Sequence, residues 1–126
     1  MSAMVLDAGA LIAIDRGDRE VSTQVDEAIR NGHPVRTNAN AVAQVWRNGA
    51  RQAQLAHVLR TIEVAPFARG DGYRAGELLG ANRTKDVVDA SVALLAKSAD
   101  RVYTSDPRDL RALCDTAGIK AVVIGC

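Results

Sequence analysis

Short apolar runs alternate along this chain with longer segments of helical periodicity. Five runs are continuous and rich in β-branched residues, which is typical of strands covered on both faces of a sheet. These predicted strands span 4–6, 34–36, 62–64, 102–104 and 121–124. Between them, apolar residues recur at spacings of three and four, which predicts helices. The predicted helices span 8–15, 20–31, 39–48, 50–60, 71–80, 86–98 and 107–117.

The order of these elements predicts the fold class. Strands that alternate with helices form a parallel sheet with helices on both faces. The chain has 126 residues, which suits one domain over residues 1–126 and is too short for two full cores. In open sheets of this kind, functional sites lie at the carboxyl ends of the strands.

Composition narrows the possible functions. Hydrophobic residues make up 48% of the chain and charged residues 25%, which argues against a disordered protein. The net charge is only +1, so the chain does not hold nucleic acid by bulk charge, although a nuclease needs only local charge. Cys114 and Cys126 cannot form a disulfide framework or a structural zinc site. With no signal peptide or membrane-spanning segment evident, we expect a cytoplasmic protein with free thiols.

Aspartates stand where the predicted strands end and the helices begin. Asp7 and Asp106 each follow a strand, and Asp86 and Asp89 open the helix 86–98. Taken singly, each acid is more simply read as a helix cap, and Asp106 with Asp109 fits a capping box. Capping does not explain why several acids meet at one sheet edge. Clustered carboxylates suit Mg²⁺ or Mn²⁺, which indicates hydrolysis of a phosphodiester.

Four segments in this order resemble the PIN-domain family, in particular VapC-type toxins of bacterial and archaeal toxin–antitoxin pairs. The segments are 5–13, 42–47, 86–90 and 103–106. The resemblance extends over almost the whole chain. It implies a three-layer α/β/α domain around a parallel sheet of four or five strands. It also implies a Mg²⁺- or Mn²⁺-dependent endoribonuclease that forms homodimers and is inhibited by a small cognate antitoxin protein.

The resemblance also assigns the site. It implies that Asp7, Asp89 and Asp106 are the metal-binding and catalytic acids, with Asp86 as a helper. The hydroxyls that would orient the last acid or a metal-bound water belong to Thr104 and Ser105.

One position departs from the family pattern. Many members carry Glu where this chain has Gln44, whose amide oxygen can ligate a cation but brings no charge. We therefore expect weaker metal binding than in those members. Arg47 and Arg51 share a predicted helical face with Gln44, and Arg108 follows Asp106; these arginines are candidates for RNA contact, or else solvated surface charges.

Two other functions fit parts of the pattern. The weakened site could belong to a module that binds RNA or an antitoxin without efficient cleavage, and Gln44 is the best support for it. A phosphate-accepting domain of flavodoxin-like topology is less favoured, because no acceptor Asp follows the strand 62–64. Trp46 is predicted to pack in the core or at a dimer interface.

Overall fold

The computed structural model describes residues 1–126 and is built from five strands, seven α-helices and one 3₁₀ turn, Gly49–Arg51. The strands are β1 (Met4–Leu6), β2 (Val35–Asn38), β3 (Glu63–Ala65), β4 (Arg101–Thr104) and β5 (Val122–Gly125). The helices are α1 (Ala8–Asp15), α2 (Arg19–Arg30), α3 (Ala39–Val45), α4 (Ala53–Thr61), α5 (Arg69–Asn82), α6 (Val87–Leu95) and α7 (Pro107–Ala117). None of these helices has the length and apolar character needed to cross a membrane.

The five strands form one parallel sheet in the order β3-β2-β1-β4-β5. The chain moves outward from β1 to β2 and β3, then returns across the sheet to β4 and β5. Because crossovers between parallel strands are right-handed, this reversal places α1–α4 on one face and α5–α7 on the other. The three-layer α/β/α fold class predicted above is thereby confirmed, with five strands in the sheet. The reversal between β1 and β4 is a topological switch point, where open sheets leave a crevice at their carboxyl edge.

The core lies between the sheet and the helices, and it is densest around β1. All three residues of β1 are fully buried, as are Leu11 on α1 and Val92 on α6. The expectation that every strand is covered on both faces is wrong for the two edge strands. In β3 the Val64 side chain is 40% exposed, and β5 is partly exposed as well. The helical layers do not extend far enough to cover these margins.

The predicted helix 39–48 ends early, at Val45, for an identifiable reason. The Gln52 side chain lies within the following loop, where its Oε1 accepts the N–H groups of Arg47 and Asn48 at 2.7 and 2.9 Å. Its Nε2 donates to the Val45 carbonyl at 3.0 Å. These bonds satisfy backbone groups that further helix would have used, so the chain turns here.

Trp46 is not a core residue. Its side chain is 37% exposed, and a Cβ added to Gly49 would lie 2.9 Å from its ring, so the indole covers the glycine backbone. The early end of α3 causes this, because Trp46 has an extended backbone and no longer follows the buried helical face. The two cysteines are free, with Cys114 buried and Cys126 exposed.

Candidate metal centre

Asp7 begins the site at the carboxyl end of the central strand. It is 3% exposed and caps α1, with its Oδ1 accepting the Ala10 N–H at 2.9 Å. Burial raises the pKa of its carboxyl, while a hydrogen bond from the Thr104 hydroxyl lowers it. A buried carboxylate next to water-accessible space is costly unless a cation or further donors stabilise its charge.

Thr104 connects the two central strand ends. It is fully buried at the end of β4, and its Oγ1 accepts the Asp106 N–H at 2.9 Å, in addition to the hydrogen bond to Asp7. Asp106 caps α7, which has Pro107 in its first turn. One hydroxyl therefore contacts both acids.

Helix α6 brings the third acid to the same edge. Asp86 caps this helix, with its Oδ1 accepting the Asp89 N–H at 3.0 Å. The Ser91 hydroxyl accepts a 2.8 Å hydrogen bond from the Asn38 amide at the end of β2. This bond ties α6 to the carboxyl edge of the sheet and holds Asp89 beside the strand ends.

The tightest group of carboxylates joins two predicted acids to one that sequence reasoning missed. One ligand atom each from Asp89, Asp106 and Asp109 lies within 4.8 Å of the others. Asp109 is the third helical residue of α7, where its backbone N–H meets the Asp106 Oδ1 at 3.5 Å. The sequence explains Asp109 as a capping-box acid, but only half of that box forms, because the Asp106 N–H donates to the Thr104 Oγ1 instead. The only local sign of a second role is its spacing of three residues from Asp106, which places both acids on one side of the helix start.

Mutual repulsion of these acids is visible in their ionisation. The pKa of Asp89 is raised to about 7, first by burial and then by Asp86, Asp7, Asp106 and Asp109. The pKa of Asp109 is also raised, mainly by a hydrogen bond to Asp106 and then by the negative charge of Asp106. No basic side chain forms an ion pair with the cluster. The two ion pairs of the protein lie elsewhere and join Arg36 to Glu63 and Arg74 to Asp71.

A close contact sets the spacing between the loop of Asp7 and the loop of Asp106. Gly9, in the first turn of α1, lies against Ser105. A Cβ at Gly9 would lie 2.1 Å from the Ser105 Oγ, 2.6 Å from its Cβ and 2.8 Å from its backbone nitrogen. Only glycine therefore allows the two loops to approach this closely.

The remaining predicted residues are Gln44 and three arginines. Gln44 is exposed on α3. The Arg47 guanidinium donates to the carbonyls of Ala43 and Trp46 at 3.0 and 2.7 Å, so it caps its own helix end. Arg51 is exposed in the 3₁₀ turn. Arg108 is exposed beside the cluster, where its charge opposes the rise in the pKa of Asp109.

The donor set matches a hard divalent cation. All the grouped ligands are carboxylates, and neither histidine nor cysteine belongs to the group. Oxygen-only sites of this kind suit Mg²⁺, Mn²⁺ or Ca²⁺ better than zinc or copper. The cluster can therefore hold a divalent metal ion, which would relieve the repulsion that the carboxylates exert on one another.

Comparison with known proteins identifies a structural relative. No protein-family model matches the sequence, and no curated protein matches it. A chain from the crystal structure of Rickettsia felis VapBC2, bound to a DNA fragment from its promoter, superimposes on this chain with a TM-score of 0.65. The match covers 100% of this chain and 99% of that chain at 12% sequence identity. At this identity the likeness concerns the fold, and it agrees with a PIN-like three-layer α/β/α architecture.

Proposed function

We propose that this protein is a metal-dependent endoribonuclease that acts as the toxin of a toxin–antitoxin pair. The observation that carries the proposal is the convergence of Asp7, Asp89, Asp106 and Asp109 at the switch point of the sheet, with no basic side chain paired to them. The full-length likeness to a VapBC2 chain supports the toxin–antitoxin assignment.

The proposed ligands of Mg²⁺ or Mn²⁺ are Asp89, Asp106 and Asp109, with Asp7 and Asp86 alongside. Bound there, such an ion would lower the pKa of a coordinated water and stabilise negative charge on a phosphoryl oxygen. Thr104 holds the carboxylate of Asp7 and the loop of Asp106 in fixed orientation. Arg108 lies at the cluster and is the arginine best placed to contact an RNA phosphate.

The partners follow from the same proposal. The substrate is RNA, the inhibitor is a small cognate antitoxin protein, and the active form is a homodimer of single-domain chains. The VapBC2 likeness supports the antitoxin partner, whereas RNA and the homodimer rest on the family resemblance. The exposed Trp46 ring offers a dimer contact. A basic side chain of the antitoxin, inserted beside the acidic cluster, would block the metal site.

Asp7→Asn tests the catalytic proposal cleanly. Asparagine caps helices as well as aspartate does, and Asn38 already caps α3 in this protein through the equivalent contact, a 2.9 Å bond from the Ala41 N–H. The variant should therefore keep its fold and lose cleavage of RNA in Mn²⁺. Asp26→Asn, at an exposed site on α2, is the matched control and should cleave normally. Full cleavage by Asp7→Asn, in a preparation free of contaminating nuclease, would falsify the assignment.

A second candidate function is a module of the same fold that binds RNA or an antitoxin without efficient cleavage. The neutral Gln44, in place of the family's Glu, favours it. Calorimetric titration with Mn²⁺ separates the two functions, because a nuclease must bind the ion at least when RNA is present. Absence of Mn²⁺ binding with RNA present would favour the binding module.

A further inference from the structure

A cavity lies near the acidic cluster, and none of the proposed metal ligands lines it. It has a volume of about 230 Å³ and opens where β2 and β3 end. Asn38 and Ala65, the last residues of these strands, form its floor, and the segment that leads into α5 forms one wall. Helix α6 forms the opposite wall through Ser91, Leu94 and Leu95.

The strand register places this cavity next to Asp7. Met4 pairs with Val35 and Val5 with Arg36, so the same register brings Asn38 level with Asp7. Neighbouring strands lie about 4.8 Å apart. Helix α6 gives a second connection, because Ser91 follows Asp89 by two residues on the same helix and hydrogen-bonds to Asn38 at 2.8 Å. A polymer bound at the acids would therefore place a neighbouring unit over the cavity.

The lining combines an apolar wall with a polar edge. Phe67, Leu94 and Leu95 form the wall, and the Phe67 ring rests on the first turn of α5, where a Cβ at Gly72 would lie 3.9 Å from it. The polar edge is the partly exposed Asp71–Arg74 ion pair, whereas Asn38 and Ser91 are almost fully buried and hydrogen-bond to each other and to backbone. Such a lining suits a flat ring with apolar faces and hydrogen-bonding atoms on its rim.

Other classes of ligand fit less well. A phosphate or carboxylate would meet a single cation, Arg74, which already forms an ion pair with Asp71 at the same cavity. A metal ion would find only the Asp71 carboxylate. A hydrocarbon chain would cover the charged Asp71–Arg74 pair, whose side chains are 30% and 64% exposed, and so remove these charges from water.

We propose that this cavity binds an unpaired nucleobase of the RNA strand, one nucleotide away from the phosphate held at the acidic cluster. The inference rests on the proposed function and adds to it a binding site for one unpaired base. A base within a duplex is stacked and paired, so its faces and rim are not free to enter the cavity.

The test measures binding without cleavage. Each ribonucleoside 5′-monophosphate is titrated into the isotope-labelled protein in EDTA, and amide chemical shifts are followed by NMR. Ribose 5-phosphate serves as the ligand that lacks a base. We expect the nucleotides, and not ribose 5-phosphate, to shift the amides of Ala65, Phe67 and residues 91–95. Phe67→Leu should weaken this binding about tenfold because stacking on the ring is lost, while Tyr73→Leu, at an aromatic side chain 64% exposed and outside the cavity, should bind normally.

The outcomes separate this inference from the proposed nuclease activity, because metal-free binding does not depend on cleavage. Nucleotide binding by a protein that cannot cut RNA would support the cavity and overturn the nuclease. Cleavage of RNA without shifts at the cavity would overturn the cavity alone. Equal shifts with ribose 5-phosphate, or unchanged affinity in Phe67→Leu, would also overturn it.

Discussion

Replacing Gly9 by alanine should push apart the two loops that carry Asp7 and Asp106. The new Cβ would lie 2.6 Å from the Ser105 Cβ and 2.8 Å from its backbone nitrogen, whereas ordinary contacts begin at 3.4 Å. The hydroxyl oxygen can rotate away, but the other two atoms are fixed to the backbone. The loops must therefore separate by about 0.6–0.8 Å, a strain that in packed cores costs roughly 1–3 kcal/mol.

Thermal unfolding and Mn²⁺ calorimetry measure the two consequences. A net loss of about 1 kcal/mol lowers the Tm of a domain of this size by roughly 3–6 °C, and the wider spacing should weaken metal binding. Gly76→Ala is the matched control, because a Cβ there meets nothing within 4 Å in the interior of α5; it should be neutral or stabilising by about 0.4–1 kcal/mol. Ser105→Gly removes two of the three clashing atoms, so it should partly rescue Gly9→Ala. A Gly9→Ala variant as stable as Gly76→Ala would refute the reasoning.

Substitutions at three further positions test the site. The pKa of Asp89 in the folded protein is about 7, against an ordinary 3.8, so between these pH values the metal-free folded protein binds more protons than the unfolded chain. The stability of the fold should therefore fall as pH rises through this window. Asp89→Asn should flatten this fall, which is measured by denaturation series in EDTA. A pH dependence unchanged in Asp89→Asn would contradict this. Thr104→Val should destabilise the fold by about 1–3 kcal/mol in urea denaturation, because the Asp106 N–H loses its acceptor, whereas Thr104→Ser should stay near wild type. Gln44→Glu should tighten Mn²⁺ binding measured by calorimetry, and an unchanged affinity would place Gln44 outside the metal site.

The order and type of the elements could be predicted because they depend on local periodicity. Each of the five predicted strands and seven predicted helices corresponds to one in the structure. Their ends were less predictable where a side chain from elsewhere in the chain decides them. Val45 ends α3 because Gln52, beyond the helix, takes up the next backbone groups. A helical pattern cannot reveal such a contact, and the exposure of Trp46 follows from it.

Part of the candidate site was predictable because a parallel sheet brings the carboxyl ends of its strands to one edge. Asp7 and Asp106 could be placed together because both follow strands of one parallel sheet. Asp109 was missed because capping alone explained it, and nothing in the local sequence shows that its carboxylate approaches Asp89. The contact of Gly9 with Ser105 joins residues far apart in the chain. Only the paired arrangement of β1 and β4 brings them within contact distance.

Capping and metal binding are complementary roles for these acids rather than alternatives. Asp7, Asp86 and Asp106 each accept the capping hydrogen bond on Oδ1, and a carboxylate has a second oxygen with free lone pairs. The cap therefore fixes the direction in which that second oxygen faces the cluster. Because these acids cap α1, α6 and α7, the N-termini of the three helices lie at the same edge. Their partial positive charge offsets some of the repulsion between the acids. A chain whose net charge is only +1 can thus keep a concentrated negative site folded before any cation binds.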